Sequence, residues 1–366
     1  MKNLFFLVLF STLFFTACST KQQLPQEQKT VEEEKAKMVP ANFTDIEGFF
    51  EDDLNHALDV FKKDCLRAKR FELFKEVCEK AESQTDGRTF FTSNFQPYKL
   101  YDRESRDEGI ITGYYEPLLK GSLKKTKKYK YPVYKMPKDL VVSDDESVKD
   151  FKSIGKIVNN KVVPYDTREQ IENNPKNPNY QVLAYVDDKF DLALLHIQGS
   201  GKIRLESGRI INVGYAGQNG RKFTGIGTYM LNMGYLSRGE LSIQLIKKYF
   251  EKNPSKLDEV LNQNESYVFF KLSSQGATGS LGSLLTAERN LAVDRSVIPL
   301  GMPVFLNTKN PVSKIPINRL MVAADVGGAI KGDIRADFFW GFGEEAFEYA
   351  GRMKEKGKMY ILMPKK

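Results

Sequence analysis

The spacing of apolar residues changes three times along this chain, and this succession of periods most restricts its fold. Apolar side chains recur at helical spacing in residues 42–81 and again in residues 223–262. Between these segments, and after the second, short alternating runs separated by glycine turns predict strands. The order is therefore helices, strands, helices and a strand-rich end, which predicts a mainly β protein with helices (α+β).

Local patterns refine this order. Gly109–Pro117 is expected to be a strand that runs into a turn, and residues 141–180 are rich in charge, asparagine and proline, which favours loops. The remaining expectations are an extended stretch over Thr89–Pro97, a short helix over Thr167–Asn173, strands throughout Gln181–Gly214 and a helix over Glu344–Lys356.

The first 18 residues have the form of a secretory signal. An uncharged apolar run over residues 4–15 is shorter than the roughly 20 residues that cross a bilayer, and it is soon followed by Cys18. Phe-Thr-Ala-Cys resembles the lipobox of bacterial lipoproteins, which implies lipidation of Cys18 and anchoring on the periplasmic side of the outer membrane. A plain cleaved signal with an incidental cysteine is the alternative.

Residues 19–40 contain few large apolar side chains and are predicted to be a flexible tether. The remaining part of about 325 residues is long for one core and suggests two domains. The formal net charge of +8 favours an acidic partner. An exported protein rarely meets nucleic acid, so no nucleic-acid partner is expected, whereas peptidoglycan carries many carboxylates.

Besides Cys18, the chain has Cys65 and Cys78 in a segment of helical spacing. On one straight helix they would lie about 19 Å apart, beyond bridging distance, so a disulfide requires a break near Lys69 to Phe71. Two separate thiols on one helix are the alternative. The chain has only two histidines and no cysteine–histidine cluster at ligand spacing, so no metal is expected.

The segment 323–343 has the strongest pattern for chemistry. A short apolar run delivers Asp325, and Asp337 begins an aromatic run that ends at Trp340, the only tryptophan. A carboxyl group beside apolar rings has a raised pKa and can serve as a general acid, although nearby Lys331 and Arg335 oppose that shift. The alternative is that the aspartates of this segment only cap turns.

Four blocks together resemble a known family. They are GYYEP at 113–117, HIQGSG at 196–201, NVGYAGQNGRKFTGIG at 212–227, and LAVDRSVIPLGMPVFL followed by VAADVGGAIKGDIRADFFWGFG. The last pair resembles the three-aspartate domain, with its aspartates at Asp294, Asp325 and Asp337. The whole order is similar to that of the membrane-bound lytic transglycosylase A family.

This resemblance implies a domain layout. A double-psi β-barrel would be built from residues 41–116, which are mostly helical, and residues 268–366. A second β-rich domain, residues 117–267, would be inserted and would form the wall of a groove.

The resemblance also implies an activity without cofactors. The enzyme would cleave the β-1,4 bond between N-acetylmuramic acid and N-acetylglucosamine in peptidoglycan strands and form a 1,6-anhydro end. Asp337 would be the sole general acid and base, supported by Asp325 and Asp294. The expected substrate-binding residues are Thr112, Tyr114, Tyr115, Gln198, Ser200, Tyr215 and Trp340.

Two other functions stay open at this point. A wall-binding lipoprotein would keep the groove and the basic surface without catalysis. A hydrolase would need a second carboxylate, for which Glu116 and Asp333 are the candidates, although we interpret Glu116 as structural and Asp333 as surface charge. His196 is interpreted as a hydrogen-bonded core residue, because no nucleophile pattern accompanies it.

Overall fold

The structure is a computed structural model that describes residues 36–143, 153–237, 239 and 241–365. The predicted signal segment, Cys18 and most of the predicted tether lie outside the described residues. The end of the tether prediction is wrong, because Lys37–Pro40 form a strand that pairs with Tyr98–Tyr101. All four residues of this strand are exposed, so backbone hydrogen bonds more than apolar burial hold it.

The strands are numbered in chain order. They are β1 Lys37–Pro40, β2 Phe95–Tyr101, β3 Gly109–Glu116, β4 Leu118–Ser122, β5 Tyr131–Tyr134, β6 Val141–Ser143, β7 Ser153–Val158, β8 Lys161–Pro164, β9 Val182–Val186, β10 Gly201–Leu205, β11 Ile210–Gln218, β12 Val268–Ser273, β13 Asn290–Val293, β14 Pro303–Lys309, β15 Pro316–Asp325, β16 Arg335–Phe342 and β17 Lys354–Pro364.

The helices of the described residues are numbered in the same way, and a short 3-10 helix precedes them at Phe43–Asp45. They are α1 Leu54–Ala68, α2 Glu72–Glu82, α3 Gly87–Asn94, α4 Arg168–Asn173, α5 Lys189–Gln198, α6 Ile226–Asn232, α7 Ile243–Lys252, α8 Lys256–Asn262 and α9 Glu344–Arg352. The predicted α+β class is confirmed, and so are the helices expected within residues 223–262.

The largest sheet closes on itself. Its strands follow the order β17-β14-β15-β13-β16-β3, and β3 then pairs with the first half of β17, so that six strands form a ring. The second half of β17 pairs with β2, which continues to β1. Buried side chains of the ring strands join those of α1 to α3 and α9 in the main hydrophobic core. The double-psi description of this barrel stays a prediction.

A second sheet has the order β12-β11-β10-β4-β9-β5. A single bridge between Lys135 and Phe270 brings its two edge strands together, and α5 packs against it through Leu192 and Leu195. Its last strand in sequence, β12, spans Val268–Ser273 and therefore lies entirely beyond the predicted domain boundary at residue 267. The domain boundaries themselves stay a prediction.

A third, small sheet of β6, β7 and β8 was not expected from the sequence. The turn between β7 and β8 consists of Asn159 and Asn160, both with positive φ (51° and 59°). Two successive residues in that region match a type I′ hairpin turn, which asparagine tolerates better than most residues. The polar composition of residues 141–180 therefore concealed a hairpin.

The first two helices form a hairpin joined by a disulfide. α1 ends at Ala68 and α2 begins at Glu72, so the chain breaks at the place where a disulfide would require it. The Cα atoms of Cys65 and Cys78 are 5.5 Å apart and the two side chains are bonded. The pair therefore joins the hairpin that packs against the barrel.

Three local predictions differ from the structure. The expected extended stretch over Thr89–Pro97 is mostly helix α3, because Asp86 caps it by accepting hydrogen bonds from the backbone of Arg88 and Thr89. Residues 189–198, which lie within the strands expected over Gln181–Gly214, form helix α5 instead. The helix α9 is also shorter than expected, since β17 starts at Lys354.

Candidate active site

The register of the barrel brings two of the three aspartates into one row. Ala292 of β13 is the register partner of Asp325 on β15 and of Asp337 on β16. Asp337 in turn is paired with Thr112 on β3. Neighbouring strands lie about 4.8 Å apart, so the Cα atoms of Asp325 and Asp337 are about 10 Å apart, with one small residue between them.

Asp337 is surrounded by other side chains but is not completely buried. Its side chain keeps a small exposed fraction, and the Thr112 hydroxyl donates a hydrogen bond to its Oδ1 at 2.6 Å. Burial raises the pKa of Asp337 to about 6, although the Thr112 hydrogen bond and the Arg335 guanidinium both lower it, while the charge of Asp325 raises it. The carboxyl group is therefore partly protonated near neutral pH and remains within reach of a ligand.

Asp325 is held by a loop that the sequence analysis did not single out. The backbone N–H and hydroxyl of Ser280 donate to its Oδ1 at 2.9 and 2.8 Å, and the Val326 N–H donates at 2.9 Å. Burial raises the pKa of Asp325 in spite of these donors, which favour the charged form. Ser280 lies between strands in residues 274–289, where no periodic signal marks it.

A small apolar cluster adjoins the two carboxyl groups. Tyr114, Ala277, Ala292 and Phe339 are its buried members, and the rings of Tyr114 and Phe339 are 5.0 Å apart. The Tyr114 hydroxyl is buried without a hydrogen-bond partner of normal geometry in the described part of the chain. Burial, followed by the charges of Asp325 and Asp337, raises the pKa of Tyr114, so this phenol stays protonated.

Two predicted substrate contacts, Tyr115 and Trp340, are buried on the core side, and their role toward the substrate stays a prediction. The Trp340 ring is 6% exposed, packs on Tyr349 at 4.7 Å and donates from Nε1 to Met353 Sδ at 3.2 Å. Tyr115 is 5% exposed and packs against Phe347. Side chains alternate between the two faces of a strand. Tyr115, one residue after Tyr114, and Trp340, three residues after Asp337, therefore face the opposite side.

Gly113 of β3 allows this packing. A Cβ atom at this position would lie 2.7 Å from Nε1 of Trp340 and 2.9 Å from Cα of Ala350. Any larger residue would push the tryptophan and helix α9 away from β3. The glycine of the GYYEP block therefore has a structural reason that lies on the core side, opposite to Asp337.

Asp294 lies at the end of β13, outside the row formed by the other two aspartates. Its Oδ1 accepts from the backbone N–H and hydroxyl of Ser296, and its Oδ2 accepts from the Gly332 N–H at 3.2 Å. Burial acts to raise its pKa, but these donors and Lys331 together lower it. Asp294 thus stays charged and ties the loop before β16 to β13.

The other predicted contacts come from the second sheet. Gln198 ends α5, and its Oε1 accepts from the backbone N–H of Tyr115 at 3.1 Å, which links α5 to β3. Gly199 ends the helix in the left-handed region (φ 77°), and the partly exposed Ser200 follows it. Tyr215 on β11 is 49% exposed.

The two carboxylates considered for a hydrolase lie apart from the row. Glu116 is four residues beyond Thr112 on β3, or about 13 Å along the strand. Burial raises the pKa of Glu116, and Lys202 lies 3.8 Å from its Oε2. Asp333 precedes β16 and accepts a hydrogen bond from the Arg103 N–H at 3.2 Å.

His196 is a core residue of α5. It is 5% exposed, and its Nδ1 lies 3.0 Å from Nη1 of the buried Arg168. Burial and the Arg168 charge hold the pKa of His196 well below its usual range. Within the described residues, no group of three or more histidine, cysteine, aspartate or glutamate side chains is arranged for a metal ion.

This arrangement can transfer a proton in a confined place. A carboxyl group with a pKa of about 6 can donate a proton and then accept one near neutral pH. A second carboxyl group in the same row, together with the Tyr114 phenol, surrounds the position with negative potential and a neutral donor. Such an environment stabilises positive charge that develops on a bound ligand.

Comparisons with known proteins show which family the chain resembles. A family model described as MltA specific insert domain matches residues 110–271, and one described as 3D domain matches residues 289–363. The curated membrane-bound lytic murein transglycosylase A of Escherichia coli (strain K12) is 28% identical over 324 residues, covering 86% of this chain and 81% of that protein.

Solved structures give the same result. MltA from Neisseria gonorrhoeae in a monoclinic form is 34% identical with a TM-score of 0.79, and the match covers 90% of this chain and 93% of that chain. A membrane-bound lytic murein transglycosylase from Agrobacterium tumefaciens is 28% identical with a TM-score of 0.83, covering 90% and 98%.

Proposed function

The chain belongs to the membrane-bound lytic murein transglycosylase A family, and we propose that it cleaves peptidoglycan strands without water. The bond cut is the β-1,4 linkage between N-acetylmuramic acid and N-acetylglucosamine, and the product carries a 1,6-anhydro ring. One observation carries the proposal: Asp337 has a pKa raised to about 6 while its side chain stays partly exposed.

In the first half of the reaction, protonated Asp337 donates its proton to the glycosidic oxygen. The bond from that oxygen to C1 of the muramyl residue breaks, and the ring acquires oxocarbenium character. The row geometry supports a role for Asp325, because its negative charge raises the pKa of Asp337 and stabilises the positive ring.

In the second half, the Asp337 carboxylate removes the proton from the C6 hydroxyl of the same muramyl residue. The C6 oxygen attacks C1 and closes the anhydro ring, so Asp337 ends the cycle protonated. One carboxyl group suffices because the nucleophile is part of the substrate and is held at high effective concentration.

The neighbouring residues receive proposed roles from their contacts. Thr112 orients the carboxyl group of Asp337 through its hydrogen bond, and Tyr114 offers a neutral donor beside it. Asp294 positions the loop before β16. The partly exposed Ser200, just after the end of α5, and the exposed ring of Tyr215 line the approach to Asp337 from the second sheet.

A hydrolase that pairs Asp337 with Glu116 is disfavoured by distance. Paired carboxyl groups in such enzymes lie about 5–5.5 Å or about 6.5–9.5 Å apart, whereas Glu116 is about 13 Å along β3 from the partner of Asp337. Its contact with Lys202 supports the structural role expected from the sequence. Asp333 is engaged with Arg103.

Mass spectrometry of the products tests the proposal. The full chain, incubated with purified peptidoglycan, is expected to release muropeptides about 18 Da lighter than the reducing products of two-carboxylate hydrolysis. Reducing ends would refute the anhydro route. Binding without any cleavage would instead support a wall-binding protein.

The cellular location is also a proposal, and it goes beyond the membrane association stated in the relatives' names. The relatives are named membrane-bound, and none of the helices in the described residues has the length and apolarity to cross a bilayer. Lipidation of Cys18 would anchor the chain on the periplasmic side of the outer membrane. In the same proposal, residues 41–116 and 268–366 form the catalytic domain and residues 117–267 the insert.

A further inference from the structure

A cavity of about 280 Å³ lies on the second sheet, away from the row of aspartates. Residues of β5, β9, α4 and the first turn of α5 line it, and its walls include four tyrosine side chains. Those tyrosines are Tyr131, Tyr134, Tyr185 and Tyr267. None of its lining residues takes part in the proposed reaction.

The rim of this cavity carries positive charge that the protein does not neutralise. Lys125 and Lys130 line the cavity from the exposed connection between β4 and β5, and neither forms an ion pair within the described residues. Lys189, by contrast, is paired with Glu172 at 2.7 Å and Asp258 at 2.6 Å. Two free ammonium groups above aromatic walls favour a ligand that bears carboxylates.

The floor of the cavity has an unused hydroxyl. Tyr134 is completely buried, and its hydroxyl has no hydrogen-bond partner among the residues described. A buried polar group without a partner costs free energy. A ligand carbonyl or carboxylate at the floor would supply the missing acceptor.

We propose that this cavity binds the carboxylate-bearing stem peptide of a peptidoglycan strand whose sugars occupy the groove beside Asp337. The proposal rests on the proposed function and adds a second contact with the same substrate. It explains why the most lysine-rich part of the chain, from Lys120 to Lys135, lies on the second sheet rather than beside Asp337.

The distances fit a peptide of this kind. α5 runs from Lys189 at the cavity to Gln198, which bonds to β3 beside the proposed site. Nine residue steps in a helix span about 14 Å. An extended tetrapeptide reaches about the same length, so a peptide that starts at a sugar near Gln198 can end in the cavity.

Anionic lipid headgroups are the competing partner for exposed lysines. A membrane surface is flat, whereas these lysines border a concave, tyrosine-walled cavity large enough for an amino-acid side chain and its carboxylate. The cavity therefore favours a small ligand.

Isothermal titration of the full chain with the tetrapeptide L-alanyl-γ-D-glutamyl-meso-diaminopimelyl-D-alanine tests the proposal. Lys125→Gln with Lys130→Gln is expected to weaken binding by about tenfold, as two partly screened ion pairs are lost. The matched control, Lys124→Gln with Lys127→Gln, removes the same charge from the same exposed connection outside the cavity and is expected to change binding less than about twofold.

Four results would overturn the proposal. Three concern the peptide: no binding by the unaltered chain, equal losses in both double variants, or undiminished binding of the peptide with amidated carboxylates. The fourth is that Lys125→Gln with Lys130→Gln weakens binding to vesicles of phosphatidylcholine and phosphatidylglycerol but not to the peptide, which would assign these lysines to the membrane. Cleavage of peptide-free glycan strands distinguishes failure of the peptide-binding proposal from failure of the proposed transglycosylase function. It depends on Asp337 alone and is expected to be equal in both lysine variants.

Discussion

Replacing Asp337 with asparagine is expected to abolish product formation and, at the same time, to stabilise the folded protein above pH 6. Asparagine has the same shape and can still accept the hydrogen bond that Thr112 donates at 2.6 Å. It cannot carry a charge or a transferable proton. The substitution therefore separates the ionisation of this position from its packing.

The size of the gain follows from the pKa. Burial raises the pKa of Asp337 from 3.8 to about 6, so the folded state holds the proton more tightly than the unfolded chain does. The resulting stability is fully present below pH 3.8 and is lost as the pH rises through about 6. About two pKa units correspond to about 3 kcal/mol, and because the side chain is partly exposed we expect about 1–3 kcal/mol.

Urea unfolding between pH 3.5 and 8 measures this difference. Asp337→Asn is expected to exceed the unaltered protein in stability at pH 7–8 and to match it near pH 3.5. Asp333→Asn, which removes a carboxyl group from the loop just before β16, serves as the control and is not expected to gain stability. A variant that is folded but gains nothing at neutral pH, or that gains equally at pH 3.5, would refute the burial of an ionised Asp337.

Three further expectations concern other contacts. Thr112→Val removes a hydrogen-bond donor that favours ionised Asp337, so the alkaline limb of the kcat/KM profile should move up by about one pH unit. Thr112→Ser keeps the donor and should leave the limb in place. A downward shift in Thr112→Val would contradict a role of this hydrogen bond in lowering the pKa of Asp337. Cys65→Ser with Cys78→Ser opens a 13-residue loop and should lower the free energy of unfolding by about 3 kcal/mol, and equal stability with and without reductant in the unaltered protein would disprove it. The buried Arg289 guanidinium pairs with the Asp52 carboxylate at 2.7 Å, so Arg289→Met leaves Asp52 without its cation and should cost about 3–5 kcal/mol in urea unfolding. A neutral outcome would mean that this pair adds nothing to stability.

The sequence predicted elements whose period is visible and missed those whose burial hides it. α5 is apolar on nearly every face, with residues 192–196 all buried, so DLALLHIQ has no polar side to reveal a helical period. The hairpin at Asn159 and Asn160 depends on two positive φ angles rather than on apolar spacing. Helix α3 depends on a capping aspartate, a short-range signal that an aromatic run obscured.

The candidate residues could be named from the sequence, but the directions of their side chains could not. The resemblance singled out Asp325 and Asp337, yet their meeting across Ala292 follows from a register that only the folded barrel fixes. The same alternation turns Trp340 into the core, which could have been inferred from its odd spacing to Asp337. Ser280 lies in a loop, and the sequence has no signal that joins it to Asp325.

The closure of the barrel has a consequence for when the protein can work. β3, which carries Thr112, is sealed into the ring by β17, and β17 follows every other described element in the chain. A ribosome therefore completes both aspartates and their loops before the strand that closes the wall beside them. Until β17 pairs with β3 the ring stays open beside Thr112, so we expect the site to be complete only once this strand is in place.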